Sequence, residues 1–493
     1  MYLHKFSIAG LDKSITIKSK FSSLDPIQKK EIRWSIASNL SLNYLPFHSC
    51  LVEKNGKGYL ICGPSGSGKS TLSTYFIKLG YRVLANDFVV MWNEKDKIFA
   101  GDLNFDYENK DKPLVEITNF IFLSAYDKRD IFKMGRTDVT NFYIECMKPW
   151  KVKQTLKFTQ SPLFEFVIDS HVCLGNRINT SRWFKSIDRI TNNYDSRSVG
   201  IVGVGVLGQD IANLLLDIPN LERLNLYSRN FDKIKSIMYD LKSARPDLKI
   251  NIYRKAISCI KNSNILVFSF RGDDIDNSIK IQERYRRLYT HSKIVWEYTR
   301  LLRRVNYSGT ILVLSNPVDI LSYLTYIYTN MINLGKFDWK GLFSNQIFGV
   351  GIGLDYFRLR ALHCKNLELI GEHGDMQYLA EASVSNLIII ENKRIQTNIK
   401  EYSEMVRKGV DRTRFGPSHE TKRIVESFFN NEKELVRLSV MSHSGKFWGR
   451  PIMLKCGVPL SIHKLDRKLA YKMKLFEDQA EELIISMKLV GDL

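Results

Sequence analysis

The chain has 493 residues, too many for one ordinary hydrophobic core, so length alone asks for about two to four domains. Its 44% hydrophobic and 25% charged residues exclude intrinsic disorder as the general state. The formal net charge of +21 would suit a nucleic-acid binder, but the two local basic clusters, RYRRLYTHSK (284–293) and RLLRR (300–304), come with no recognition-helix, zinc-finger or aromatic RNA-binding signature. No specific nucleic acid is expected, and the positive field serves anionic substrates and nucleotides instead.

No apolar stretch reaches the roughly 18 residues that cross a bilayer, and the amino terminus lacks a secretory signal pattern, so no membrane partner is expected. Cys50, Cys62, Cys146, Cys173, Cys259, Cys364 and Cys456 are scattered without paired spacing, as in a reduced compartment. The expectation is a cytoplasmic protein.

In chain order, GKGYLICG (56–63) reads as a buried strand, TLSTYFIKLG (71–80) as an amphipathic helix and YRVLAND (81–87) as the next strand. Between the first two lies GPSGSGKS (63–70), which fits GxxxxGK[ST] in the strand–loop–helix setting that this motif requires. Gly63, Ser65, Gly66 and Gly68 let backbone N–H groups turn inward around phosphates, with Ser70 and Thr71 opening the helix behind them. Lys69 reaches the outer phosphates, and Ser70 is a magnesium ligand. Asp87, at the end of the following strand, is placed to face the same magnesium or an acceptor hydroxyl. ATP and Mg2+ are the expected ligands.

The stretch HSCLVEKNGKGYLICGPSGSGKSTL (48–72), followed by GYRVLANDFVV (80–90), resembles the HPr kinase/phosphorylase family, over about residues 45–174. The resemblance places His48 at the family's histidine and Asp87 at the second member of its acidic pair, the base on the acceptor hydroxyl. Asn86 replaces the first member, which argues against the reverse reaction and against strong metal binding. LFEFVIDSHV (163–172) resembles the closing strand of the shorter kinases of this superfamily, which act on serine-type or precursor-peptide hydroxyls. His48 keeps two readings, a site residue or a structural histidine beside a strand.

The polar stretch 176–196 reads as a linker between residues 1–175 and a second α/β half. There RSVGIVGVGVLGQDIANLLLD (197–217) places GxGxxG, with Gly203, Gly205, Val206, Leu207 and Gly208, between a strand and a helix, the setting of a dinucleotide-binding turn. The next strand, RLNLYSRN (223–230), offers Ser228 and Arg229 where a ribose-binding acid would stand. A hydroxyl and a guanidinium suit a 2′-phosphate, so the cofactor is NADP or NAD with a lean toward NADP.

LVLSNPVDILSYL (312–324), GVGIGLDYFRLRALH (349–363) and LIGEHGD (369–375) follow in that order. With the glycine loop they resemble the L-lactate/malate dehydrogenase family over about residues 197–490. That resemblance assigns His373 as proton donor and acceptor, Asp355 as the carboxylate orienting it, Arg358 as the grip on the substrate carboxylate and Asn316 as a polar neighbour of the substrate. The chemistry agrees, since reducing a 2-keto acid needs an imidazolium at the developing alkoxide and a bidentate cation at the carboxylate. The family's mobile loop is altered: ILVFSF (265–270) runs into RGDDIDNSIKIQERYRR (271–287) without proline. Arg284 falls at the keto-polarising arginine, with a solvated helix face as its other reading. The substrate-selecting position falls near Ser278, which argues against a simple malate pocket, while Lys280 is near enough to complicate that argument.

The expected architecture is α/β throughout. A P-loop kinase domain of HPr-kinase type (1–175) precedes a Rossmann-fold NAD(P)-binding domain (197–317) and a lactate/malate dehydrogenase-like C-terminal α+β substrate domain (318–493). The expected function joins phosphorylation of a hydroxyl on a small molecule or peptide to reduction of a 2-keto acid or acyl group, in the biosynthesis of a specialised metabolite or modified peptide. A homo-oligomer, dimer or tetramer, is implied by the second resemblance. The competing reading is a nucleotide- or redox-sensing regulator with one site inactive.

Overall fold

The computed structural model describes residues 2–8, 11–17, 25–38, 40–78, 80–94, 97–102, 115–123, 131–132, 136–147, 155–174, 197–272, 285, 287–362, 366–374, 376–382, 386–410, 413–429, 434–442, 444–455, 458–461 and 464–490. The chain divides into two compact units, Met1–Thr191 and Asn192–Leu493.

In the first unit a mixed sheet runs in the order Tyr44–Phe47, Val89–Glu94, Lys97–Asp102, Val115–Leu123, Lys57–Cys62, Ser49–Lys54, Arg82–Asn86. Its centre is the parallel pairing of Lys57–Cys62 with Val115–Leu123, which carries the strand that feeds the first glycine loop. Phe47, Leu60, Phe88, Phe120, Phe122 and Tyr143 fill the core beneath it, and burying side chains of this size stabilises by roughly 1.5–3 kcal/mol each. The expected closing strand over 163–172 is a helix, Pro162–Ser170, followed by a strand only at His171–Leu174. The reason is local. Ser161 caps the helix by accepting from the Phe164 N–H (3.3 Å), Pro162 suits a first helical position, and Leu163, Phe164 and Val167 bury one face.

In the second unit six parallel strands lie in the order Lys249–Tyr253, Arg223–Tyr227, Ser198–Val202, Ile265–Phe268, Thr310–Val313, Ile347–Gly349. In chain order this is 3-2-1-4-5-6, so the sheet reverses direction beside Ser198–Val202, where a doubly wound sheet opens its ligand crevice. The sheet then continues without a break into antiparallel strands through Gly349, which pairs with Ser439.

Helix Val206–Leu215 follows the second glycine loop and buries Gly208, Ile211, Ala212 and Leu215, an i, i+3, i+4, i+7 stripe. The basic run at 300–304 has a structural job. Arg300 donates to the carbonyls of Met331 (2.7 Å), Ile332 (2.8 Å) and Tyr328, and Arg303 to that of Thr329 (2.7 Å) and to Asp338. The last carbonyls of helix Val318–Thr329 are thereby satisfied, and burial lowers the Arg300 pKa to about 10. Among the described residues no helix is long and apolar enough to cross a membrane.

Candidate active sites

In the first unit, the loop after Lys57–Cys62 turns on Gly66 and Gly68, both at positive φ (81° and 91°), and enters helix Lys69–Lys78. At Gly63 the packing is tight: a Cβ there would stand 2.3 Å from Ser67 Oγ and 3.1 Å from Leu123 Cβ, so Ser67 would have to move to admit one. Lys69 folds back over the loop and donates from Nζ to Gly63 O (2.7 Å) and Pro64 O (3.0 Å). Burial pulls its ammonium pKa below the ordinary value, so an anion brought to this loop would relieve a half-buried cation. Cys50, Cys62 and Cys146 are buried close enough to act on that charge; burial pushes the thiols of Cys50 and Cys146 up to about 12 and also raises that of Cys62. Ser65, Ser70 and Thr71 are exposed on the loop and the first helical turn.

Asp87 stands just past Arg82–Asn86 at φ 100°, held by its N–H to Ser49 O (2.9 Å). His48 Nε2 lies 2.9 Å from Asp87 Oδ1, and Arg33, from helix Pro26–Ser38, lies 4.0 Å from Oδ2. The sequence placed His48 and Asp87 together; Arg33 was missed, because nothing in its helix marks it out. Asp87 is 48% exposed. One open carboxylate and the Ser70 hydroxyl suit a hydrated magnesium ion that arrives with nucleotide phosphates, rather than a cage of protein ligands. Among the described residues no group of three or more His, Cys, Asp or Glu side chains could hold a metal alone.

In the second unit, the glycine loop fits a dinucleotide. Gly203 sits at φ 102°, and a Cβ on it would strike the Phe270 backbone at 2.7 Å; one on Gly208 would strike Gly203 O at 2.4 Å. A Cβ on Gly205 would meet nothing within 4 Å, so that face of the turn is open to a ligand. Val206 and Leu207 begin the helix, whose N-cap carries no side-chain hydrogen bond, leaving its amides for an anion. Ser228 is half-buried and Arg229 exposed, between the second strand and the Asn230 cap of helix Phe231–Ala244.

The reactive cluster is built on three element ends. Asp355 and Arg358 lie one turn apart on helix Ile352–Ala361, and both are buried. His373 follows strand Leu367–Gly371, its ring packed on the helix start, where a Cβ at Gly351 would come within 2.8 Å of it. Asn316 follows Thr310–Val313 and is joined to Pro317 by a cis bond, and its carbonyl lies 2.7 Å from His291 Nδ1. His373 Nδ1 lies 2.6 Å from Asp355 Oδ2, while Asp355 Oδ1 accepts from Arg358 (2.8 Å). Burial alone would raise the Asp355 carboxyl, but His373 and Arg358 outweigh it and hold its pKa below the usual carboxylate range.

His373, Asp355, Arg358, Asn316 and Leu207 line one cavity of about 1450 Å³. Sequence reasoning missed Asp319, which accepts the His373 N–H (2.9 Å), and Thr413, whose hydroxyl accepts from Arg358 (3.2 Å). A lone buried acid in the apolar run VDILSYLTYIYT was the available signal for Asp319. Arg284, Ser278 and Lys280 lie outside the described residues.

No family model matches the chain. An L-lactate dehydrogenase of Lactococcus lactis subsp. cremoris is 27% identical over 327 residues, covering 59% of this chain and 99% of its own. A malate dehydrogenase of Methanococcus maripaludis is 25% identical over 320 residues, covering 59% of this chain and 96% of its own. A lactate/malate dehydrogenase-like region covers about 59% of the chain. An L-lactate dehydrogenase of Staphylococcus aureus is 23% identical over 328 residues, covering 61% of this chain and 97% of its own. A solved lactate dehydrogenase from a Medee basin deep-sea metagenome library has a TM-score of 0.49 at 20% identity, over 59% of this chain and 99% of that one.

Proposed function

We propose that the second unit interconverts a 2-keto acid or 2-keto acyl group and the 2-hydroxy compound with a nicotinamide cofactor. The first unit, on this reading, transfers a phosphoryl group from ATP to a hydroxyl. The observation that carries the first statement is the His373–Asp355–Arg358 cluster facing the cavity that the glycine-loop helix also lines. With Nδ1 committed to Asp355, His373 presents Nε2 as the atom that delivers a proton to the carbonyl oxygen or removes it from the hydroxyl. Asp355 fixes that tautomer and stabilises the imidazolium. Arg358, steadied by Asp355 and Thr413, presents its guanidinium to the substrate carboxylate. A bound nicotinamide would supply or accept the hydride.

The dehydrogenase names of the Lactococcus and Methanococcus relatives support this reaction class. Arg358→Lys is expected to raise KM for the keto acid by about 10-fold or more through loss of bidentate geometry, with cofactor affinity unchanged. Steady-state kinetics decide it, and an unaltered KM would remove Arg358 from the substrate. Ser228 and Arg229 favour NADP over NAD. Arg229→Ala is expected to weaken NADP binding about 10-fold and leave NAD binding alone, since one charge-assisted contact is lost. Fluorescence titration of both cofactors checks this, and tighter NAD binding by the unsubstituted protein would refute it.

For the first unit the support is the doubly positive-φ glycine loop, the folded-back Lys69 and Asp87 set against His48. Phosphoryl transfer asks for positioning and charge neutralisation, which these residues supply with Mg2+ on Ser70 and Asp87. Mass spectrometry of hydroxyl-bearing peptides and hydroxy acids incubated with ATP and magnesium tests it. Homo-oligomeric assembly, as a dimer or tetramer, remains part of the proposal and is read by solution mass measurement.

A further inference from the structure

His373 stands in the turn of a hairpin, and the residue that closes that hairpin is Gln377. Strands Leu367–Gly371 and Gln377–Ala382 are antiparallel, with Gly371 directly opposite Gln377. Gly371 and Gly374 take positive φ (118° and 114°), which lets the turn between the strands fold tightly. Two backbone ties hold it: the Glu372 N–H donates to Met376 O (3.0 Å), and the His373 N–H donates to Asp319 (2.9 Å). The third tie is a side chain. Gln377 donates from Nε2 to the carbonyl of Gly374 (2.8 Å), one residue past His373, and to Asp355 Oδ2 (3.3 Å). Gln396, from helix Lys393–Val410, donates to the Gln377 carbonyl (3.1 Å) and steadies the start of the strand.

Both acceptors of that side chain are oxygens, so the amide has one workable orientation. Turned over, its Oε1 would face a carbonyl and a carboxylate with no proton between them. In the orientation found, Oε1 is buried and meets no hydrogen-bond donor among the described residues. An unsatisfied buried acceptor is a net cost to folding, and methionine or leucine would not incur it. Stability alone therefore does not account for an amide here. What the amide supplies is a second donor to the oxygen that already takes the His373 Nδ1 proton (2.6 Å). Asp355 Oδ1 is occupied by Arg358, so Gln377 acts on the histidine side of the carboxylate.

We infer that Gln377 is a positioning residue for the proton transfer: its amide pins Asp355 Oδ2 and the backbone just past His373, and so sets the ring that carries Nε2. The inference rests on the reductase reading of the second unit and adds a residue to that site. One side chain holds both the carboxylate that orients the imidazole and the turn from which the imidazole projects. Its N–H groups are committed to these two oxygens, so its effect passes through His373. Without them the ring keeps its Asp355 bond but ranges over more orientations, and a smaller share of bound states aligns Nε2 with the carbonyl oxygen. The Arg358 grip is made through Oδ1 and stays in place, so substrate should bind as before.

A double-mutant cycle with His373→Asn tests the inference, using steady-state rates of the full-length protein with reduced nicotinamide cofactor and pyruvate or oxaloacetate. Gln377→Met keeps the length of the side chain and removes both donors. It is expected to lower kcat by about 5-fold or more with KM for the keto acid unchanged. In the His373→Asn background the same substitution should cost less than about 2-fold, because the ring it acts through is gone. Gln377→Leu should repeat the pattern. Equal losses in both backgrounds with a lowered Tm would make Gln377 a structural residue, and a raised KM at unchanged kcat would make it a substrate contact; either overturns the inference. No reduction of either keto acid by the unsubstituted protein would overturn the reductase reading instead. Proton NMR of protein carrying isotope-labelled histidine then judges the geometry without turnover. The His373 Nδ1–H resonance, assigned by its loss in His373→Asn, should move downfield in Gln377→Met as Asp355 Oδ2 loses its competing donor. An unmoved resonance sinks the inference.

Discussion

His373→Asn is expected to lower turnover of a competent keto acid by about 10²–10⁴-fold, the usual contribution of a positioned proton donor. Cofactor affinity should be retained, because the glycine loop at Gly203–Gly208 makes no hydrogen bond to His373 among the described residues. Asparagine keeps the size and polarity of the site, and the backbone N–H of residue 373 can still reach Asp319. Loss of rate therefore reports on the ring nitrogen and not on collapse of the loop. Asp355→Asn should slow the same step, since an amide neither fixes the imidazole tautomer nor balances its charge. That variant also strips Arg358 of its carboxylate partner, so its KM should rise, whereas the KM of His373→Asn should move less. Stopped-flow and steady-state rates separate the two patterns. Normal turnover by His373→Asn would exclude the proposed proton path.

The second large effect is expected in the first unit. Lys69→Ala should reduce phosphoryl transfer by about 10²–10³-fold, because the cation folded over the glycine loop is the fixed positive charge available to the transferring group. Asp87→Ala should lose a similar factor for another reason. Its carboxylate faces His48 and Arg33 at the end of its strand and is not among the backbone amides that cradle phosphate, so nucleotide binding should survive while transfer fails. A fluorescent ATP analogue measures binding, and mass spectrometry of the acceptor measures transfer. Full-rate transfer by Asp87→Ala would reduce that residue to a structural partner of His48.

The two glycine loops and their flanking strands and helices were readable in the sequence, because each is specified by residues adjacent along the chain. So was the run of Asn316, Asp355, Arg358 and His373, which the fold gathers from three separate element ends. What could not be read depends on pairings between distant segments. Cys62 lies opposite Phe122, and Gly349 opposite Ser439, and no local pattern announces either register. Helix Pro162–Ser170 was expected as strand on the kinase resemblance, and its apolar run suits both periods; the Ser161 cap and Pro162 settle it locally as helix. Asp319, Thr413 and Arg33 were invisible for one reason. Each is an ordinary polar residue until folding places its side chain beside a group far away in sequence.

The walls of the first glycine loop have a consequence for the chemical resilience of the protein. With pKa values pushed to about 12, the thiols of Cys50 and Cys146 stay overwhelmingly protonated at neutral pH, and burial raises the Cys62 thiol in the same direction. Alkylating agents and peroxides attack thiolates, so these sulfurs offer such reagents almost nothing, even though they surround a charged ligand loop. Sulfur here acts as a compact, neutral lining. These three thiols are thereby poor targets for oxidants and for thiol-modifying reagents.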